Sequence, residues 1–340
     1  MNPIIISKNK DSKNSNTMES NMDTHRVSDV PTITLDTKQS ILSKLSKSSE
    51  YREDSSSEDL ANLARRLNNG CYWLSTSNPK TLKGLQEGYI TAVLSLAPAM
   101  ESGWNMCFRY THCVDDCLYR KGRGQMTRTQ EARIRKTQLF MEDKDEAALQ
   151  IHGEIRRMHR LCTKHSEAKL AVRLNCYSDL RWERMRFKSL GGKTLIEANP
   201  EVQFYDYTKY PYNYRPAWHD MPINYHLTYS YDGTPEDLVH AKLILKKNHN
   251  VKIILKKNTW KLLKDTAWMG TLGIYGDHEV REILKEHLKI TYPSYFNYPS
   301  LLGEVLSYSL TNSELTDNRF LDPSPTVCLG VEKGSTKIAL

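Results

Sequence analysis

Cys107, Cys113 and Cys117 fall within eleven residues as Cys-x5-Cys-x3-Cys. If the chain turns helical at about Thr111, the last two lie four apart and share one helical face. Cys107 then occupies the loop before the helix start, where the dipole and free amides favour thiolates. An iron–sulfur cubane held by three cysteines keeps one iron open for a substrate or cofactor, whereas structural zinc wants a fourth ligand. His112 is adjacent, and Cys71, Cys176 or His165 could arrive through the fold. Unmetallated structural thiols are the third alternative, and the spacing alone leaves all three open. Cys162 lies on the apolar stripe of a helix and reads as core filling, as does Cys328; Cys176 ends a strand and could line a site.

A second set of chemical side chains sits at strand ends. Asn175, Ser178 and Asp179 follow one apolar run, Asp206, Thr208 and Lys209 another, and Thr228 and Ser230 a third. In parallel α/β folds the loops after the strands converge on one mouth, so polar residues there are candidates for chemistry as well as for ordinary turns. Asp277, His278 and Glu279 are consecutive, cannot face one ion from a helix, and read as a helix start. Gly191-Gly192-Lys193 reads as a turn. Neither a Gly-x4-Gly-Lys-Ser/Thr loop, a His-Glu-x2-His pair nor a Gly-x-Ser-x-Gly elbow is present, which removes support for nucleotide hydrolysis and the common hydrolase mechanisms.

The elements that must position these groups are legible as short apolar runs alternating with helical periodicity. Tyr89–Leu96, Leu170–Asn175, Val202–Asp206, Ile223–Tyr229, Val251–Leu255 and Thr326–Val331 read as buried strands. Helices are expected at about Asp59–Leu67, from a Thr127-x-x-Gln130 capping box to Met141, and along the stripe Ala148, Ile151, Ile155, Met158 and Cys162. Thr234-Pro235-Glu236-Asp237 carries a cap, a first-turn proline and first-turn acids, a strong helix start between the fourth and fifth strands. Strands separated by helices mean a parallel sheet or barrel. The fold class expected is α/β, a partial (β/α)6 TIM-like barrel over residues 58–340, with an insertion around 258–317 and a disordered tail over 1–57.

The chain has 340 residues, 39% hydrophobic, enough for a sizeable core. The tail is rich in Ser, Asn, Asp and Lys. Ile4–Ile6 is its only apolar run, far short of a signal sequence or of the roughly 20 residues a membrane span needs. An odd cysteine count of seven, three of them clustered, points to a reducing compartment, so a cytoplasmic protein is expected. A net charge of +8 permits an anionic partner. Basic residues gather in Arg120–Lys136 and in Lys242–Lys264, either a solvated face or a nucleic-acid surface, and the tyrosines of Tyr205–Tyr214 could stack on bases or form a core edge.

Taken together, several motifs resemble the phage gene product 88 family, which has no established activity. They are LSLAPA at 94–99, SGWNMC at 102–107, the two later cysteines, GRG at 122–124, ARIRKTQLF at 132–140, VRLNCYSD at 172–179, Trp182 and Glu183, VQFYDYTK at 202–209, NYHLTYS at 224–230 and RFLDP at 319–323. The family usually has six residues between its first two cysteines and glycine where this chain has Cys176. A looser resemblance joins the cysteine loop, the Ser-Asp strand end and the Thr-Lys strand end to phage proteins regarded as radical S-adenosylmethionine-like. That resemblance implies a 4Fe-4S cluster on Cys107, Cys113 and Cys117, with S-adenosylmethionine contacted by Asn175, Ser178, Asp179, Asp206, Thr208, Lys209 and Ser230. The usual Cys-x3-Cys-x2-Cys spacing is absent. The competing expectation is a nucleic-acid-binding phage or mobile-element protein with structural zinc, using the basic stretch 242–264, in the host cytoplasm if viral.

Overall fold

The computed structural model describes residues 57–76, 83–109, 113, 117–165, 168–232, 234–255, 309–312 and 326–331. Strands are β1 (Leu74–Ser75), β2 (Tyr89–Leu94), β3 (Lys169–Arg173), β4 (Gln203–Thr208), β5 (Tyr225–Ser230), β6 (Asn250–Leu255), β7 (Ser309–Asn312) and β8 (Thr326–Val331). Helices are α1 (Ser57–Asn68), α2 (Thr127–Glu142), α3 (Lys144–His165) and α4 (Pro235–Lys246). All six strands expected from the apolar runs are present. The expected tail lies outside the described residues except at its last position, as does the helix start expected at Asp277, His278 and Glu279. Within the expected insertion, β7 is the part described.

The eight strands form one sheet in the order β1-β2-β3-β4-β5-β6-β8-β7. Among the described strands only β1 is antiparallel, and every later pairing is parallel. From β2 to β6 the spatial order follows the sequence without the reversal that marks a doubly wound sheet. Among the described residues no pairing between β1 and β7 closes it, so the α/β class holds and the sheet is open rather than a closed barrel.

Alternation along the strands gives the sheet two unlike faces. Ile90, Ala92, Leu94, Leu170, Val172, Phe204, Leu227, Val251 and Ile253 point to one face and join Leu63, Phe140, Ile151, Ile155, Leu238 and Ile244 in a single core cluster. Each of the four described helices contributes to that cluster, so these pack on the same side of the sheet.

Local chemistry fixes the helix ends. Thr234 caps α4, its hydroxyl oxygen accepting the Asp237 N–H at 3.3 Å, with Pro235 at the first helical position. Asn248 follows in the left-handed region, φ 64°, where Asn is tolerated. The Thr127-x-x-Gln130 box does not form. Met126 occupies the cap position of α2 without a side-chain bond, and Gln130 donates instead to the Tyr119 carbonyl at 3.4 Å. Asp143 caps α3 by accepting the Glu146 N–H at 2.9 Å. Gly191 and Gly192 both have positive φ, 65° and 78°, and make the expected turn.

Candidate functional site

β2 ends in Leu94, and the segment beyond it carries the first cysteine back over the strand ends. Ala99 adopts φ 46°, a left-handed conformation that costs an L-residue of this kind roughly 1–2 kcal/mol. Its carbonyl accepts the Met106 N–H at 3.0 Å, and its own N–H donates to Cys107 Sγ at 3.3 Å. Cys107 Sγ in turn lies 3.5 Å from the carbonyl of Tyr177, in the loop after β3. The backbone strain thus aims an amide at a sulfur, at the carboxyl end of the sheet.

Cys113 and Cys117 share this neighbourhood. Burial pushes the Cys107 thiol up to about 12 against the Ala99 hydrogen bond, and Asp179, Cys113 and Cys117 push it the same way. Burial also raises Cys113, opposed by the Lys209 ammonium and reinforced by Asp179 and Asp232. Cys117 is raised by burial and, among other neighbours, by Cys113. The thiols are within electrostatic reach of one another, and Lys209 and Asp179 act on them as well. Three thiols with an amide donated to one sulfur are suitable donors for a soft metal. Among the described residues, however, no three His, Cys, Asp or Glu side chains are arranged as ligands of one ion.

Of the rival fourth ligands, His112 lies outside the described residues. The Cys71 thiol donates to the Leu67 carbonyl beside Arg157. His165 ends α3 at the amino end of β3. Cys176 lies three residues beyond the end of β3, its N–H bonded to the Leu94 carbonyl at 3.3 Å. Cys162 is buried in the core cluster, as expected.

The seven strand-end residues form one hydrogen-bonded network. Asn175 Oδ1 accepts from Ser178, from the Leu180 N–H and from the Trp182 indole, while its backbone N–H donates to Asp206 Oδ1 at 2.6 Å. Asp179 Oδ2 accepts the Lys209 N–H at 2.8 Å, and the Lys209 ammonium donates to the Ser230 carbonyl at 3.0 Å. Thr208 accepts the Tyr210 N–H at 3.0 Å and bonds Asp179. Asn175, Asp206 and Thr208 are each 1% exposed, so their polar groups hold strand ends together. Lys209 and Ser230 are only partly covered and stand at the rim.

Two further groups complete the site and carried no signal in the sequence. Arg215, fully buried, clamps Glu183 through two nitrogens at 2.8 and 3.0 Å, reaches Asp179 at 3.2 Å and donates to the Tyr225 hydroxyl, which donates to Asp206. Burial opposes its charge, yet Tyr225, Glu183 and Asp179 hold it above the ordinary arginine range. Burial also lifts Asp206 to about 7, with Asn175 and Arg215 opposing. Arg109, between Cys107 and Cys113, pairs with Asp232 and Asp237, tying the cysteine loop to the start of α4. A tyrosine-rich loop around Arg215 gave no reason to single it out, and Asp237 read only as a first-turn acid.

The basic stretches are largely engaged within the fold where they are described. Arg133 stacks over Tyr177, its group 4.0 Å from the ring centre, Lys136 donates to the Trp73 carbonyl, and Arg120 pairs with Glu101. Lys252 is 7% exposed and lies over Tyr207, and Lys247 approaches Tyr212. Tyr205 is buried, Tyr210 stacks on Phe108 with centroids 4.1 Å apart, and Tyr214 is exposed. The tyrosines therefore run from core edge to rim.

Residues 72–295 match the family model described as Gene product 88. The chain belongs to the gene product 88 family. Both the cysteine loop and the strand-end network of this family member fall inside the matched stretch; the RFLDP segment follows it and lies outside the described residues. No curated protein and no solved structure matches the chain. No helix among the described residues is long and apolar enough to cross a membrane.

Proposed function

We propose that this gene product 88 family chain is an iron–sulfur enzyme of the radical S-adenosylmethionine type, with a 4Fe-4S cluster on Cys107, Cys113 and Cys117. One observation carries the reading: three thiols lie within electrostatic reach of one another and of Asp179 or Lys209, and Cys107 is held against the loop after β3 at the carboxyl end of a sequentially ordered parallel sheet. Among the described residues, the sequential strand order and the four helices on one side of the sheet support a partial (β/α)6 barrel. Such a cluster, when bound, supplies one electron to S-adenosylmethionine and so starts radical chemistry.

The chain's own groups have separable tasks in this reading. Ala99 aims its amide at the Cys107 sulfur, and Arg109 anchors the loop that brings Cys113 in. Lys209 and Ser230, at the rim, are placed to contact the bound cofactor; Asn175, Ser178, Asp206 and Thr208 hold the rim from behind, and Asp179 joins the two layers. An oxygen-sensitive centre of this kind belongs in a reducing compartment such as the cytoplasm.

The test is iron, sulfide and zinc content of the anaerobically purified full chain, beside a variant with all three cysteines changed to Ala. About four irons and four sulfides per chain, lost in the variant, are expected. Zinc without iron would overturn the reading in favour of a structural metal site, and neither metal would leave the thiols structural.

A further inference from the structure

Three aromatic rings lie open to solvent beside the first cysteine. Phe108, the residue after Cys107, stacks on Tyr210, the residue after Lys209, with centroids 4.1 Å apart and planes 21° from parallel. Tyr214 joins them, its ring centre 5.9 Å from that of Phe108. The rings thus bridge the cysteine loop and the loop after β4, at the carboxyl end of the sheet. Such rings ordinarily bury most of their surface, yet Phe108 is 38% exposed and Tyr214 59%.

The loop that presents the tyrosines is fixed from below. Tyr210 donates its N–H to the Thr208 hydroxyl at 3.0 Å, and its carbonyl accepts the Trp218 indole N–H at 3.0 Å. Tyr214 donates its N–H to the Pro211 carbonyl at 3.0 Å, and the adjoining Arg215 is anchored in the buried cluster with Glu183 and Asp179. The rings are therefore held in place before anything binds, which lowers the ordering cost of stacking on them.

Charge narrows what they would take. Asp179, Glu183, Arg181 and Arg215 all act on Tyr210. Asp179 and Glu183 are neutralised by Arg215 beneath the surface, whereas Arg181 is exposed, its guanidinium 5.4 Å from the Tyr210 ring centre. Arg184, at the end of the short helical turn that Arg181 precedes, is exposed as well. Open aromatic faces edged by arginines match a flat group joined to an anion, as in a nucleotide; an acidic peptide would use the charge and leave the ring faces uncovered. An open rim covers only one side of a lone nucleotide, so repeated base and phosphate contacts along a strand suit it better.

We infer that Phe108, Tyr210 and Tyr214 form a stacking platform for single-stranded nucleic acid, with Arg181 and Arg184 meeting its phosphates. Within the enzyme reading this names the substrate class and lays it over the mouth beside Lys209, yet the platform needs no metal and can fail or hold independently.

Fluorescence anisotropy of the full chain with a labelled single strand of about 12 nucleotides, as DNA and as RNA of one sequence, tests this, with iron content measured on the same sample. At least one strand is expected to saturate, and the tighter one separates DNA from RNA. Affinity should weaken about fivefold or more in Tyr214→Ala and Phe108→Ala, and hold in Tyr214→Trp and in Tyr72→Ala, an exposed tyrosine beside β1. Arg181→Gln should reduce the slope of log affinity against log salt by about 0.7, and an unchanged slope would remove Arg181 from the platform. Failure of both strands to saturate wild type overturns the inference, as does equal affinity in wild type and Tyr214→Ala. Equal binding of the duplex, saturation by adenosine monophosphate alone, or displacement by polyglutamate as readily as by unlabelled strand overturns it too. If Phe108→Ala no longer melts cooperatively, the two Tyr214 variants decide, since that side chain is more than half exposed. Strand binding without iron would sink the iron–sulfur reading alone; iron without strand binding would sink the platform alone.

Discussion

Arg215 reaches Asp179 at 3.2 Å from a side chain with no exposed surface, while two of its nitrogens grip Glu183. One buried cation therefore holds two acids, from the loop after β3 and the turn beyond it, under the cysteine loop. Replacing it by Met should leave both acids buried without their partner and cost about 3–5 kcal/mol of stability. Urea unfolding measures this, and adding Glu183→Gln should recover part of the loss. Equal stability of Arg215→Met and wild type would show that the clamp contributes nothing.

Asp206 predicts a pH dependence. Burial raises its folded pKa to about 7 from an ordinary value near 3.8, so between those values the folded chain holds a proton that the unfolded chain has released. Stability from this group is therefore full below about pH 4 and falls as pH rises toward 7, by on the order of 4 kcal/mol. Asp206→Asn cannot titrate. The difference in unfolding free energy between wild type and Asp206→Asn should shift against wild type from pH 4 to pH 8, and a flat difference would exclude the buried acid as its source.

Six strands were legible because each is a run of apolar, β-branched or aromatic residues bounded by turn formers, and Thr234-Pro235 announced α4 correctly. β1, only two residues long, and β7, Ser309–Asn312, are too short and too polar to show a period. The Thr127-x-x-Gln130 box marked the start of α2 correctly, although its reciprocal bonds do not form and Gln130 donates to the Tyr119 carbonyl instead. In the candidate site, residue type marked the cysteines and the polar strand ends. What they do with one another was hidden, because Arg215 and Arg109 act across 32 to 128 residues of chain, a separation no local pattern encodes.

The GRG segment yields a packing prediction. A Cβ on Gly124 would overlap the Leu118 carbonyl oxygen and sit 2.9 Å from that of Tyr119, both backbone atoms with little freedom to move. Gly124→Ala should cost about 1–3 kcal/mol. Gly122 differs: a Cβ there meets nothing within 4 Å, and its positive φ of 55° is the only penalty, so Gly122→Ala should cost about 1 kcal/mol. Thermal melts of the two variants should rank in that order, and a reversed ranking would refute the packing argument.

Arg109 offers the sharpest test of how the thiols are positioned. Its guanidinium pairs with Asp237 at 2.5 Å and Asp232 at 3.2 Å, both acids at most 1% exposed, and its carbonyl lies 3.5 Å from the Cys113 thiol. Arg109→Ala should destabilise by about 3–5 kcal/mol, because two buried acids lose their cation. It should also release the loop. In metal-free protein under native conditions, alkylation of Cys113 by iodoacetamide should accelerate in Arg109→Ala while the core Cys162 stays protected, read by mass spectrometry of the digested chain. If both thiols accelerate together, Arg109 acts only on global stability; if Cys113 alone responds, the ion pair with Asp232 and Asp237 sets the position of that thiol at the mouth of the sheet.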